Sequence, residues 1–525
     1  MNIDTAAVGR RARASLVGIV SGYAALALAE LVAALVRPES GPVIAVGGAA
    51  VDRTPAGVKD WAIRTFGTSD KLVLQAGILV VMACLAAGLG LLALRMRRTA
   101  AAGVLAFGVI GAAAALSRPD SDAYTDALPS LLGGLAGAVV LHTLIGPLAA
   151  HRTADRPGSR PDGWDRRRFL LATGGVAVAS TGAGALGRAL TSAGAGDAVA
   201  SRAAVVLPRP ASPAADVVPG AAPRVPGLSP FVTPNRDFYR VDTALVVPKP
   251  TTDGWRLRVH GRGVRRELNL TFDALLSRPL VERDITLTCV SNEVGGPYVG
   301  TARWLGVPLA ELLAEAGVRP PSRGGPADQL VARSVDGMTL GTPVEDVMDG
   351  RDALLAVGMN GEPLPFDHGF PVRMVVPGLY GYVSACKWIE EIELTTFAAY
   401  DPYWVKRKWA RRAPIKTQAR IDTPKPFARP AAGTVVVAGV AWAQHRGIDR
   451  VEIRVDDGPW RPAELAAEHT RDTWRQWSYR WQATPGTHTL TVRATDRTGE
   501  TQTERRTRTI PDGASGWHSV VVTAG

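Results

Sequence analysis

The chain has 525 residues, with 60 Lys and Arg against 48 Asp and Glu for a formal net charge of +12, and at roughly 100–200 residues per domain it has room for about three domains. Its 13 Trp are spread unevenly, only Trp61 and Trp164 falling before residue 200, which excludes one uniform soluble fold, while the aromatic-rich second half excludes wholesale disorder. Three cysteines, Cys84, Cys289 and Cys386, exclude a disulfide scaffold and a multi-cysteine metal or iron–sulfur site, and the lack of a CxxCH motif excludes covalent c-type haem.

Residues 1–155 read as a four-helix transmembrane region. Residues 15–36 carry one acid, Glu30, and residues 72–94, 99–116 and 127–150 carry no charge; about 17–25 apolar residues are enough to cross the hydrocarbon layer. Arg10, Arg11 and Arg13 precede the first span, and Arg95, Arg97 and Arg98 lie between the second and third, so those ends are expected in the cytoplasm. The acidic connection RPDSDAYTD suits the outer side, and Arg152, Arg156, Arg160, Arg166, Arg167 and Arg168 return the chain to the inner side.

Within residues 156–190 the run DRRRFLLATGGVAVASTGAGALGR places two arginines, one further residue, Phe and Leu ahead of an apolar stretch over 169–186. This pattern matches a twin-arginine export signal. The plainer alternative is a fifth membrane helix with a basic inner flank. Either way the segment is expected to remain as an anchor, with everything after it outside the cytoplasm. A twin-arginine route would add that the protein is exported folded, with a cofactor acquired inside.

Residues 191–229, rich in Pro and Ala, read as a semi-rigid linker. Residues 230–424 alternate strand-like segments (WRLRVHG, ITLTCV, PVRMVVPG, WIEEIELT) with the amphipathic VPLAELLAEAG, a short helix ended by Gly317, which predicts a mixed α+β domain. Over 425–525 the segments GTVVVAGVAW, RVEIRVDDGPW, WRQWSYRWQ, HTLTVRATDRTGE and WHSVVVTAG, punctuated by DDG and RTG turns, predict an all-β sandwich of immunoglobulin type.

The segments TLTCVSNEVGG, TARWLGVPLAELL, MNGEPLPFDHGFPVRMVVPGLYG and SACKWIEEIEL, in this order, resemble the molybdenum domain of the sulfite oxidase family, and the following sandwich resembles that family's dimerisation domain. The resemblance implies a central sulfite-oxidase-type molybdopterin-binding domain, a molybdenum cofactor and a homodimer through residues 425–525. A lone thiol in an apolar strand is usually an inert core residue. Cys289, however, ends the strand ITLTCV and enters the loop SNEVGG, where backbone can approach a ligand closely. A thiolate also suits a metal already held by sulfur donors. Family carry-over makes Cys289 the protein ligand to molybdenum, with Arg240 beside it in the catalytic role.

The pterin carries an anionic phosphate and a hydrogen-bonding edge, so positive and polar side chains should converge on it. The matching positions are Tyr239 and Arg240 in NRDFYRVD, Asp336 in ARSVDGM, His368 and Arg373 in DHGFPVR, and Ser384 and Lys387 in SACKW. Arg373 and Lys387 would contact phosphate, His368 and Asp336 would fix the pterin, and Tyr239 and Arg240 would wall the site. Taken singly each has a plain structural alternative: Arg373 pairing with Asp367, for instance, or Tyr239 at a core edge. Cys386 reads as structural, and Cys84 as a packing residue in a membrane helix.

The sequence departs from the family pattern where true sulfite oxidases place an arginine soon after the cysteine: here stand Asn292 and Glu293. Val357 stands where the family has an active-site tyrosine before MNG. Both departures argue against sulfite as the substrate. No haem is expected in this chain, because His142 is the only histidine inside a predicted span and His151 lies at its boundary.

Two enzyme readings follow: an oxidase or dehydrogenase that adds an oxygen atom to its substrate, or a reductase of the methionine sulfoxide type running the reverse transfer. The expected partners are a membrane-linked or extracytoplasmic electron carrier and a small oxyanion or sulfoxide substrate. A non-enzymatic anchored binding module with a decayed site is the third reading, opposed by the retention of Cys289, His368 and Arg373 together. Nucleic acid is not expected as a partner, since the positive-inside bias accounts for the flanking arginines. The run WVKRKWARR over 404–412 has five cations in nine residues, and reads either as a solvated face or as a cationic mouth for an anion.

Overall fold

The computed structural model describes residues 5–54, 58, 61, 65–66, 70–118, 121, 124–150 and 166–525. Two compact units result, residues 1–197 with 244–247, and residues 198–243 with 248–525.

Apolar runs with few internal charges produce five helices that are long and apolar enough to cross a membrane: Thr5–Val36, Asp70–Ala93, Arg97–Leu116, Leu128–Ala150 and Arg166–Ala204. Small residues let these helices approach closely. A Cβ on Gly18 would lie 2.0 Å from the Ala86 carbonyl oxygen, and one on Gly133 2.4 Å from that of Ala25. A shorter helix, Pro42–Arg53, follows the first; its 12 residues fall below the length that hydropathy alone detects. Arg37 pairs with the buried Asp126 at 2.6 Å. Arg152, Arg156 and Arg160, on which part of the expected orientation rests, lie outside the described residues.

The last of these helices runs 39 residues, continuing past residue 190 to Ala204. Residues 191–204 are therefore helical rather than linker, since they are Ala-rich and the first proline after them is Pro208. Beyond them the Pro-rich segment is tied to the domain it precedes. Ala211 donates to the Leu280 carbonyl at 2.7 Å, Glu282 donates to the Ser212 carbonyl at 2.9 Å, and Phe231 and Phe238 are buried.

Ten strands build the central domain: β1 (Arg256–Gly261), β2 (Leu268–Thr271), β3 (Val281–Thr288), β4 (Val299–Pro308), β5 (Gln329–Ser334), β6 (Thr339–Pro343), β7 (Leu354–Met359), β8 (Glu362–Pro363), β9 (Arg373–Val375) and β10 (Ile389–Thr395). One sheet has the order β2-β1-β10-β5-β6, with β1 and β10 parallel; the other has the order β3-β4-β7-β8, with β9 on β7. The predicted helix forms over Leu309–Glu315 and is followed by Gly317 at φ +83°, the left-handed conformation that favours glycine. This is the mixed α+β architecture expected of residues 230–424.

The strands β11 (Gln418–Thr423), β12 (Gly433–Trp442), β13 (Ile448–Val455), β14 (Arg461–Pro462), β15 (Glu464–Leu465), β16 (Arg475–Ala483), β17 (Gly486–Asp496) and β18 (His518–Ala524) form the C-terminal domain. They make two antiparallel sheets, β11-β12-β16-β15 and β14-β13-β17-β18, that share a core containing Val437, Val451, Trp477, Val492 and Val520. The immunoglobulin-like sandwich expected from the turn spacing is present.

These two domains meet along the outer edge of β3. Thr286 donates its N–H to the Asp472 carbonyl at 2.9 Å and accepts the Trp474 N–H on its hydroxyl at 2.7 Å. Gln444 donates from Nε2 to the Thr286 carbonyl at 3.0 Å. An edge strand that would otherwise present unpaired groups is thus closed by the second domain. Beside it the buried Asp284 carboxylate accepts from Arg303 at 2.8 Å and from His469 Nε2 at 2.8 Å.

Candidate active site

Strand β3 delivers Cys289 to the floor of a cleft, where its side chain is buried. The Cys289 N–H donates to the Tyr298 carbonyl at 3.0 Å, its carbonyl accepts the Asn292 N–H at 3.0 Å, and Sγ accepts the Ser291 N–H at 3.4 Å. Asn292 is itself buried and accepts the Tyr298 N–H on Oδ1 at 2.8 Å, closing the loop that carries the thiol. The loop presses on the C-terminal domain: a Cβ on Gly295 would lie 2.1 Å from the His518 ring, and Arg420 donates to the Gly296 carbonyl at 2.9 Å. Burial pushes the Cys289 thiol up in pKa, opposed by the Ser291 donor and by the Lys387 charge.

Arg373, on β9, faces the same cleft. Its side chain is buried over the Trp304 ring, 4.9 Å from the centroid, and Nη1 donates to the His368 carbonyl at 3.2 Å. Among the described residues no ion pair engages this guanidinium, and Nε is buried with no hydrogen-bond partner. Asp367, the alternative partner, instead pairs with Arg240 at 3.1 Å. Burial lowers the Arg373 pKa to about 10.

Lys387 donates to Asp242 Oδ2 at 2.8 Å and to the Asp367 carbonyl at 3.0 Å, and burial lowers its pKa to about 8. Arg240 reaches the same Asp242 oxygen at 2.9 Å but does not line the cleft. His368 donates from Nε2 to the Asn235 carbonyl at 3.1 Å, which leaves Nδ1 as the acceptor. Burial and then the Arg373 charge lower its pKa to about 4, so the ring is neutral at pH 7.

Tyr239 stacks on Phe238 at 5.1 Å, and burial holds its phenol well above the usual range. Asp336 accepts the Met338 N–H on Oδ1 at 3.2 Å and lines the cleft. Cys289, Tyr239, Asp336, His368, Arg373 and Lys387 therefore share one cleft. Ser384 does not line it: its buried hydroxyl is shared between the carbonyls of Leu379 at 2.9 Å and Tyr380 at 3.1 Å.

The cleft also contains residues that sequence reasoning did not single out as site residues: Asp242, Tyr382, Cys386 and the tryptophans Trp388, Trp404 and Trp409. Of these Asp242 left a signal, an acid two positions beyond Arg240 in the same run NRDFYRVD. Glu293 is exposed and Val357 fully buried in β7, and neither lines the cleft.

An oxidoreductase molybdopterin-binding domain model matches residues 244–404, and a bacterial Ig domain model matches residues 418–492. The mitochondrial sulfite oxidase of Rattus norvegicus is 32% identical over 286 residues, covering 46% of this chain and 51% of that protein. The Homo sapiens enzyme is 30% identical over 306 residues, covering 50% of this chain and 55% of that protein. An oxidoreductase molybdopterin-binding domain is thus present, in a chain similar to sulfite oxidases. It spans about half the length of the curated relatives it matches. The NADH nitrate reductase 2 of Nicotiana tabacum is 37% identical over 200 residues, 34% of this chain and 22% of that protein. Among solved structures, the sulfane dehydrogenase SoxCD of Paracoccus pantotrophus aligns with a TM-score of 0.46 at 25% identity, over 53% of this chain and 78% of that one.

The family's molybdenum cofactor fits the residues present. A buried guanidinium without a counterion is costly in a folded protein, and an anionic phosphate meeting Arg373 would remove that cost. Among the described residues no group of three or more His, Cys, Asp or Glu is placed to hold a metal ion. A metal at Cys289 would therefore take its other ligands from the cofactor, as a dithiolene supplies them.

Proposed function

We propose that the protein is a membrane-anchored, extracytoplasmic molybdopterin-dependent oxidoreductase that carries out two-electron oxygen-atom transfer at a molybdenum bound by Cys289. The observation that carries this reading is the convergence of a buried thiol and a buried, unpaired Arg373 in one cleft. When bound, the cofactor supplies a metal that exchanges two electrons and one oxygen atom with a substrate.

The chain's own residues would hold and orient that group. Cys289 Sγ would ligate the metal, its lone pairs steered by the Ser291 N–H. Arg373 would bind phosphate, and Lys387, pinned by Asp242, would add charge beside it without losing its own partner. The neutral His368 would accept a pterin N–H on Nδ1, in the tautomer set by Asn235. Asp336 would take a second donor of the ring, and Arg240, tied to Asp242 and Asp367, would hold that wall in place.

Anchoring is supported by the five apolar helices, and an outward-facing catalytic domain by the basic residues flanking them. Two-electron chemistry needs a separate carrier, which a membrane-linked or extracytoplasmic protein would provide, and residues 425–525 are the candidate homodimer surface. The test is molybdenum and pterin analysis of the full chain, purified from membranes of a host that makes molybdopterin. Near-stoichiometric molybdenum is expected. A folded chain that stays empty while a coexpressed molybdoenzyme loads would leave only an anchored binding module.

A further inference from the structure

One wall of the cleft has a chemistry that cofactor binding does not use. Trp404 and Trp409 stand edge to face with centroids 5.8 Å apart, Tyr382 packs on Trp409 at 5.5 Å, and all three line the cleft. Four of the five cations of the same segment are committed elsewhere. Lys406 lies over the Tyr400 ring at 5.0 Å and Arg407 over Tyr403 at 3.4 Å. Arg411 pairs with Asp401 at 2.8 Å, and Arg412 lies over Phe397 at 5.7 Å. None of the five cations in residues 404–412 lines the cleft. Of the two readings of this run, the cationic mouth does not hold: the segment gives the cleft an indole wall instead.

Charge accounting points the same way. The lining holds two acids, Asp242 and Asp336, and two bases, Arg373 and Lys387, so it is neutral before any ligand enters. Lys387 is already bound to Asp242, and a cofactor phosphate would consume Arg373. With both lining cations so committed, an anion arriving there would find no uncommitted cation in the lining. Aromatic faces instead favour flat or alkyl groups.

Resting on the assignment of this cleft to the cofactor, we infer that the substrate is an uncharged molecule whose apolar body lies against Trp404 and Trp409, and that these two indoles set specificity. The test is titration calorimetry on the full-length, molybdenum-loaded protein with three probes. Methyl phenyl sulfoxide is uncharged and carries a ring, benzenesulfinate has the ring with a negative charge, and dimethyl sulfoxide lacks the ring.

Methyl phenyl sulfoxide is expected to bind about 10-fold tighter than either other probe. Trp404→Ala and Trp409→Ala should each weaken it by about 10-fold while leaving dimethyl sulfoxide and metal content unchanged, and Trp409→Phe should restore most of the loss. The comparison of probes on the unmodified protein holds even where a variant fails to fold. Benzenesulfinate binding as tightly as methyl phenyl sulfoxide, no detectable binding of methyl phenyl sulfoxide, or Trp variants that bind it unchanged would each overturn the inference with the cofactor reading intact. Wild-type protein without molybdenum would overturn both.

Discussion

Gln444 of the C-terminal domain donates from Nε2 to the Thr288 hydroxyl at 2.9 Å, one residue ahead of Cys289. The same nitrogen reaches the Thr286 carbonyl at 3.0 Å. The strand that presents the thiol is therefore held by a side chain of the neighbouring domain. Replacing that side chain tests how far the site depends on it. Gln444→Ala leaves two buried acceptors unpaired, a loss of about 1–3 kcal/mol. Thermal unfolding should shift down, and molybdenum retained through purification should fall with it; unchanged metal content at a lowered melting temperature would mean the contact serves the domain junction alone.

Cys289→Ser should preserve the fold, because serine is smaller and can still accept the Ser291 N–H. The protein-derived sulfur contribution in the X-ray absorption spectrum of bound molybdenum should disappear, and turnover with it. Cys386→Ser is the control, and should leave that spectrum unchanged.

Arg373→Met separates cofactor binding from folding, since the two predictions have opposite signs. In protein made by a host without molybdopterin, removing an unpaired buried cation while keeping the contact with Trp304 should stabilise the fold, on the order of 1–3 kcal/mol. The same variant made with the cofactor available should hold little of it. Thermal melts and metal analysis of both preparations give the answer, and a lower melting point in the cofactor-free variant would contradict the role of Arg373 as a vacant anion receptor.

His518 accepts the Ile421 N–H on Nδ1 at 3.0 Å, and burial, with Arg420 nearby, lowers its pKa to about 4 from an ordinary 6.5. The folded form thus resists a proton that the unfolded chain accepts. The contribution is fully present above pH 6.5 and is lost as the pH falls from 6.5 toward 4, on the order of 3 kcal/mol in all. Denaturant melts across that range should show the decline, and His518→Gln, which keeps an acceptor, should flatten it.

In the helical unit Gly133→Val would drive a Cβ to within 2.4 Å of the Ala25 carbonyl. The helices Thr5–Val36 and Leu128–Ala150 must then separate. Detergent-solubilised protein is expected to melt lower and aggregate earlier, while its molybdenum content per folded chain stays at the wild-type level.

What could be read from the sequence follows the range of the signal. Five apolar runs announced their helices, because a membrane span needs only local composition. The strand ITLTCV and the stop at Gly317 were equally local. Arg373 and Lys387 were found through motifs, yet Asp242 was not assigned, because its partner Lys387 lies 145 residues away. Ser384 was read as a ligand from a motif, but its short local bonds to Leu379 and Tyr380 turn the hydroxyl aside. The segment 404–412 shows the limit most clearly: charge counting found its cations, and only tertiary packing reveals that Trp404 and Trp409 reach the cleft in their place.

The edge of β3 is completed by Gln444 and Trp474, 156 and 188 residues from their partners on that strand. A nascent chain that has made β3 but not yet the C-terminal sandwich has an unpaired strand edge where the thiol should be presented. On the proposed reading, a cofactor held at Cys289 would be retained only by a chain in which the C-terminal sandwich has closed that edge. A truncated product would then leave the cofactor free for complete chains, which ties occupancy of the cleft to completion of the fold.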